Sequence, residues 1–97
     1  MGENIIKIFL TWARKINKIN GITVLDIKRS DKNASKQSAY VDIASNTDLL
    51  RITLWETGEI DLEQISIDTG ETICYKSLVV ESTNCIAVCS DFVKRII

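Results

Sequence analysis

Leu50-Arg51-Ile52-Thr53-Leu54-Trp55-Glu56-Thr57-Gly58-Glu59-Ile60-Asp61-Leu62-Glu63 is the stretch that decides the fold. Leu50, Ile52 and Leu54 alternate with polar or aromatic neighbours, the period of a strand with one buried face. Glu56-Thr57-Gly58 then breaks the run, and Ile60 and Leu62 restart the alternation. Gly58 supplies the positive backbone dihedral of a tight hairpin, so the two runs pair antiparallel. A second turn of nearly the same composition, Asp68-Thr69-Gly70-Glu71, follows twelve residues later and predicts a further hairpin.

Working outward, Ile22–Lys28, Ala39–Ser45, Leu50–Glu56, Glu59–Ile67 and Thr72–Val80 are rich in Ile, Val, Leu and Thr and divided by polar turns, which reads as five strands. Ile60 and Leu62 are even-numbered while Ile65 and Ile67 are odd, so a bulge near Glu63 and Gln64 is expected to bring both pairs to the buried face. Before the strands, Ile5, Phe9, Trp12, Ile16 and Ile19 recur at spacings of four and three. They predict an amphipathic helix from Glu3 to Asn20, with Glu3 favouring its start, Lys15 and Lys18 its end, and Gly21 its stop. After Ser82-Thr83-Asn84, the positions Cys85, Cys89, Phe92 and Ile96 predict a second helix with Lys94 and Arg95 at its end. The expected fold is α+β, α-β-β-β-β-β-α: an antiparallel meander of four to five strands with both helices packed on one face. Arg29–Ser38 reads as a mobile polar loop, too short for a linker, so residues 1–97 form one domain.

At 97 residues the chain buries about 60–65% of the surface its unfolded form exposes, with stability on the order of 5–15 kcal/mol. No apolar run reaches the roughly 20 residues needed to span a bilayer, and no export signal is evident, so the expected location is cytoplasmic. Three cysteines, Cys74, Cys85 and Cys89, argue against a disulfide framework and read as small core residues.

The net charge of −1 hides an asymmetry, +5 over residues 1–40 and −6 over 41–97. Between Thr53 and Tyr75 lie Glu56, Glu59, Asp61, Glu63, Asp68 and Glu71 and no Lys or Arg, a surface suited to a basic partner. The absence of His removes the commonest general base and metal ligand. Isolated glycines rule out a phosphate loop. We therefore expect no catalytic residues, no metal, no cofactor and no small-molecule substrate. Glu59, Asp61 and Glu63 share a strand face, which reads as a solvated or partner-binding face before a catalytic dyad. Arg14, Lys15, Lys18, Lys28, Arg29, Lys32 and Lys36 would be the nucleic-acid patch, but a pI near 5.3 speaks against nucleic acid as partner. Trp12 belongs to the helix stripe and so to the core. Trp55 is out of phase with Leu50, Ile52 and Leu54, which places it on the other sheet face as either an interface anchor or simple packing.

Tyr40–Ser45, Arg51–Glu63 and Ile67–Glu71, about a quarter of the chain, together resemble the TriTu family of bacterial immunity proteins. The most specific part is Thr53-Leu54-Trp55-Glu56-Thr57-Gly58-Glu59 followed by Asp61-Leu62-Glu63, and the flanking helices have the family's order. The last helix is more apolar than the family's, at Cys85, Val88 and Cys89. The resemblance implies a protein that binds the C-terminal domain of a cognate toxin and silences it. That toxin would be of ADP-ribosyltransferase or nuclease type, acting on or with elongation factor Tu, in Rhs, type VI or contact-dependent systems. The toxin-binding candidates are Trp55, Glu56, Glu59, Asp61, Glu63, Asp68 and Glu71. A non-catalytic module that associates with itself or serves as an adaptor is the alternative.

Overall fold

The computed structural model describes residues 2–97, with side chains from Ile5 onward, so the Glu3 carboxylate expected at the helix start lies outside the described residues. Helix α1 runs Gly2–Lys15, followed by strands β1 Thr23–Arg29, β2 Ser38–Ala44, β3 Asp48–Trp55, β4 Glu59–Ser66 and β5 Thr72–Val79, then helix α2 Cys85–Val93. The strands form one antiparallel sheet in the order β1-β2-β3-β4-β5, the expected meander. Helix α1 lies over β1 to β3, and α2 packs against α1.

The core follows the alternation. Ala39, Val41, Ile43, Leu50, Ile52, Leu54, Ile60 and Leu62 point to the helix side and are buried against Ile5, Ile6, Phe9, Leu10, Trp12, Ala13 and Ile16 of the first helical segment. Cys85, Cys89, Phe92 and Val93 complete it from α2, so two of the three cysteines act as core residues, while Cys74 is half-buried against the cluster. Donation of its S–H to the neighbouring sulfur of Cys85, together with burial, pushes Cys89 up, which keeps it an uncharged packing group. Trp12 is likewise in the core, with its indole N–H donated to Ser90 Oγ at 3.2 Å.

Four local expectations need correction. The first helix stops at Lys15 and tightens into a 3-10 turn, Ile16–Lys18, before Gly21 (φ +92°) reverses the chain into β1, so Ile19 leaves the stripe and is exposed. The β4 phase does not switch, because the β3–β4 ladder is continuous from Leu54↔Ile60 to Asp48↔Ser66. The extra residue is Ile73 in β5, where Gln64↔Cys74 is followed by Ile65↔Thr72. Ile65 therefore stays on the outer side, Ile67 is exposed in the turn, and Gln64 takes the buried position. Arg95, expected to serve the end of α2, donates to Gln64 Oε1 at 3.0 Å, while Gln64 Nε2 donates to Asp48 Oδ2 at 2.9 Å. That pairing permits an amide to be buried there.

The loop between β1 and β2 is a fastened one. Gln37 Nε2 donates to the carbonyls of Asp31, Lys32 and Ala34, and Ser30 N–H donates to the Ser38 carbonyl. A second bulge, at Leu25 in β1, has no counterpart in the sequence reading.

Candidate protein-interaction surface

With both helices on one side, the opposite face of the sheet has no covering element among the described residues. Period-two alternation sends the out-of-phase residues there. Register aligns them in rows across the strands: Lys28, Tyr40, Thr53, Asp61 and Ser77 in one, and Asp26, Asp42, Arg51, Glu63 and Tyr75 in the next. Trp55, paired with Ser38, stands half-buried at the margin of this face, as its phase predicts.

The seven nominated residues divide by their surroundings. Glu59, Asp61 and Glu63 line the outer side of β4 in succession. Their hairpin turn, with Glu56, lies at one end of that strand, and Asp68 and Glu71 lie in the turn at the other end, roughly 23 Å away at 3.3 Å per residue. The two similar turns are therefore opposite ends of one acidic strip rather than one cluster.

One cation distant in sequence reaches part of this strip. Lys36 Nζ binds Glu59 Oε1 at 2.9 Å, and Thr57 Oγ1 donates to the same oxygen at 3.1 Å. The Lys36 hydrogen bond, then that of Thr57, holds the Glu59 carboxyl below its ordinary value of 4.5. Lys36 also sits 5.8 Å from the Trp55 ring centre, a cation–π contact that fixes the indole. Glu56 is tied to the β1–β2 loop: its Oε1 accepts the Gln37 backbone N–H at 2.8 Å, and its own N–H donates to the Gln37 carbonyl. Asp61 accepts from Ser77 Oγ at 2.9 Å. Among the described residues, Glu63, Asp68 and Glu71 have no ion-pair partner.

Arg51 organises the middle of the face. Its Nε and Nη2 donate to Asp42 Oδ1 and Oδ2 at 2.7 and 2.8 Å, and its guanidinium lies 4.4 Å from the Tyr40 ring centre. The bidentate bond raises the Arg51 pKa further, so it is charged at any working pH. Tyr40 in turn donates to Asp26 Oδ2 at 3.1 Å, and that bond pushes its phenol above 10.0. Desolvation, then the Asp61 and Glu63 carboxylates, pushes the Tyr75 phenol up as well.

Sequence reasoning missed this lattice because its partners are distant along the chain. It also missed a recess of about 250 Å³ beside Glu63, lined by Leu25, Leu49 and Ile65 together with Arg51 and Asp42. The out-of-phase Leu49 and Ile65 carried the available signal.

The cations weighed for nucleic acid gather only in part. Arg14, Lys15 and Arg29 line a groove of about 670 Å³ beside α1 with Lys7, Lys28 stands on the outer sheet face, and Lys36 is tied to Glu59. No three Cys, Asp or Glu side chains among the described residues come together as a metal ion needs. No helix among the described residues is long and apolar enough to cross a membrane. Comparison with curated proteins returned no match. A family model, immunity protein TriTu, matches residues 7–95.

Proposed function

The chain belongs to the TriTu family of immunity proteins, which implies a toxin as partner, and we propose that it silences that toxin by covering the toxin's active site, with no catalysis of its own. The observation that carries this reading is the uncovered sheet face bearing Glu59, Asp61 and Glu63 along one strand beside the half-buried Trp55. A toxin of ADP-ribosyltransferase or nuclease type handles phosphate-bearing substrates and needs cations in its cleft. A rigid row of carboxylates occupies such a cleft in place of the substrate and speeds encounter by electrostatic steering. Charge alone is screened by salt, so nanomolar affinity, about −12 kcal/mol, also requires desolvated anchors. Trp55 and the recess at Leu25, Leu49 and Ile65 supply them.

In this reading the partner is the C-terminal domain of the toxin, acting in the cytoplasm on or with elongation factor Tu. The test is growth of cells expressing the toxin domain encoded immediately upstream of this gene, with and without this protein. Rescue is the expected result. Continued arrest with both proteins soluble rejects the reading.

A further inference from the structure

The two edges of the sheet are built differently. Both carry a bulge, but β1 also carries Asp26, Lys28 and Arg29 within seven residues, charges that discourage strand pairing. β5 has eight residues and one charge, Lys76, and exposes Ile73 (52%), Tyr75 (58%), Leu78 (41%) and Val79 (73%). Its far side presents backbone N–H and C=O groups with no neighbouring strand among the described residues. An open, apolar edge of this length is a template for another strand.

We propose that the toxin docks by adding an extended segment to the β5 edge, with basic residues on the outer face alternating with apolar residues on the helix side. The proposal rests on the immunity reading and deepens it. Register decides the pattern. Tyr75, Ser77 and Val79 face outward opposite Glu63, Asp61 and Glu59, whereas Cys74, Lys76 and Leu78 face the helix side opposite Gln64, Leu62 and Ile60. A strand beyond β5 lies two spacings, about 10 Å, from β4, so an outward Lys or Arg reaches the Asp61 and Glu63 carboxylates across Tyr75 and Ser77. On the helix side, a recess of about 290 Å³ bounded by Leu62, Leu78, Val88 and Phe92 accepts apolar side chains. Lys76 and Arg95 line the same recess against one carboxylate, Asp91, which is already paired with Lys94, so the recess disfavours a further cation.

A second copy of this chain does not fit that pattern. Its β5 would set Tyr75, Ser77 and Val79 against the carboxylates with no cation among them, and would bring another Lys76 into a recess where two cations already outnumber the one carboxylate, Asp91.

The experiment is amide hydrogen exchange of the full chain, free and in complex with the upstream-encoded toxin domain, alongside binding of a Ser77→Lys/Val79→Lys variant. The proposal expects the outward-pointing β5 amides to gain protection on complex formation and β1 to remain unchanged. The variant, with its fold checked by thermal melting, should bind about tenfold or more weakly because its new cations repel a basic strand. If it does not fold, the exchange pattern of the natural chain decides alone. A tight complex with unprotected β5 amides overturns the edge proposal and leaves the immunity reading standing. Absence of any complex overturns both. A dimeric free chain with β5 already protected assigns the edge to a second copy and overturns the proposal.

Discussion

Arg51 and Asp42 face each other across β2 and β3 through two parallel hydrogen bonds of 2.7 and 2.8 Å, with Glu63 beside Arg51 on the next strand. A guanidinium fork committed to one carboxylate leaves the other without such a partner, so the centre of the outer face combines a rigid platform with an available negative charge. Arg51 lies nine positions after Asp42, and the Ser45-to-Asp48 turn brings them into register.

Replacing Arg51 with Met should remove this fork and expose Asp42 beside Asp26 and Glu63. Because the pair is partly solvated, the expected loss of folding stability is only about 0.5–1 kcal/mol in thermal melting. The association rate with the toxin should rise about two- to threefold at low salt, since the face becomes more negative. Stopped-flow mixing reads this directly, and a slower rate would mean that Arg51 itself contacts the toxin.

Trp55→Ala tests the anchor. The indole is half-buried at the face margin, fixed by Lys36. Calorimetric titration should show an affinity loss of about 2 kcal/mol or more, exceeding the loss of stability measured on the same variant. The reverse order would assign Trp55 to packing.

The two look-alike turns should respond differently to substitution. Gly58 has φ +94°, and a side-chain carbon there would collide with the Val80 carbonyl oxygen, whereas Gly70, at φ +73°, has open space around it. Gly70→Ala carries only the left-handed backbone penalty, about 1–2 kcal/mol. Gly58→Ala adds a backbone clash and should cost at least about 3 kcal/mol, read by urea unfolding.

Glu59 should titrate below 4.5 in the folded chain because of Lys36 and Thr57. A carboxyl depressed on folding contributes stability above its unfolded value, and that contribution is lost as pH falls through the folded value. The effect is therefore confined to acid conditions and absent as a variable near neutrality. Carboxyl NMR should show the midpoint move up toward 4.5 in Lys36→Met, and high salt should reduce the difference between the two proteins.

The strands and their meander were legible because period-two alternation and glycine turns are local signals, clearest at Leu50, Ile52, Leu54 and Gly58. Where burial depends on a partner far away, that legibility ends. Gln64 is polar, yet it is buried because Asp48 and Arg95 satisfy its amide. Ile65 and Ile67 are apolar, yet they stay outside because the ladder with β3 admits no phase change. The acidic strip was legible as composition. Its internal pairing was not, since Lys36 reaches Glu59 from a loop 23 residues earlier. Glu56 was legible as surface charge, but not its bond to Gln37, which fastens the β1–β2 loop.

The dissociation constant of the toxin domain for an Asp61→Lys/Glu63→Lys variant, against the unaltered chain at the same salt, tests the acidic face most directly. Both side chains are partly exposed on a strand whose core contacts come from Ile60 and Leu62, so the fold should survive. The account predicts binding weaker by about 100-fold, with repulsion replacing attraction at the centre of the interface. Affinity within about twofold of the unaltered chain would contradict it and place the interface on another part of the molecule.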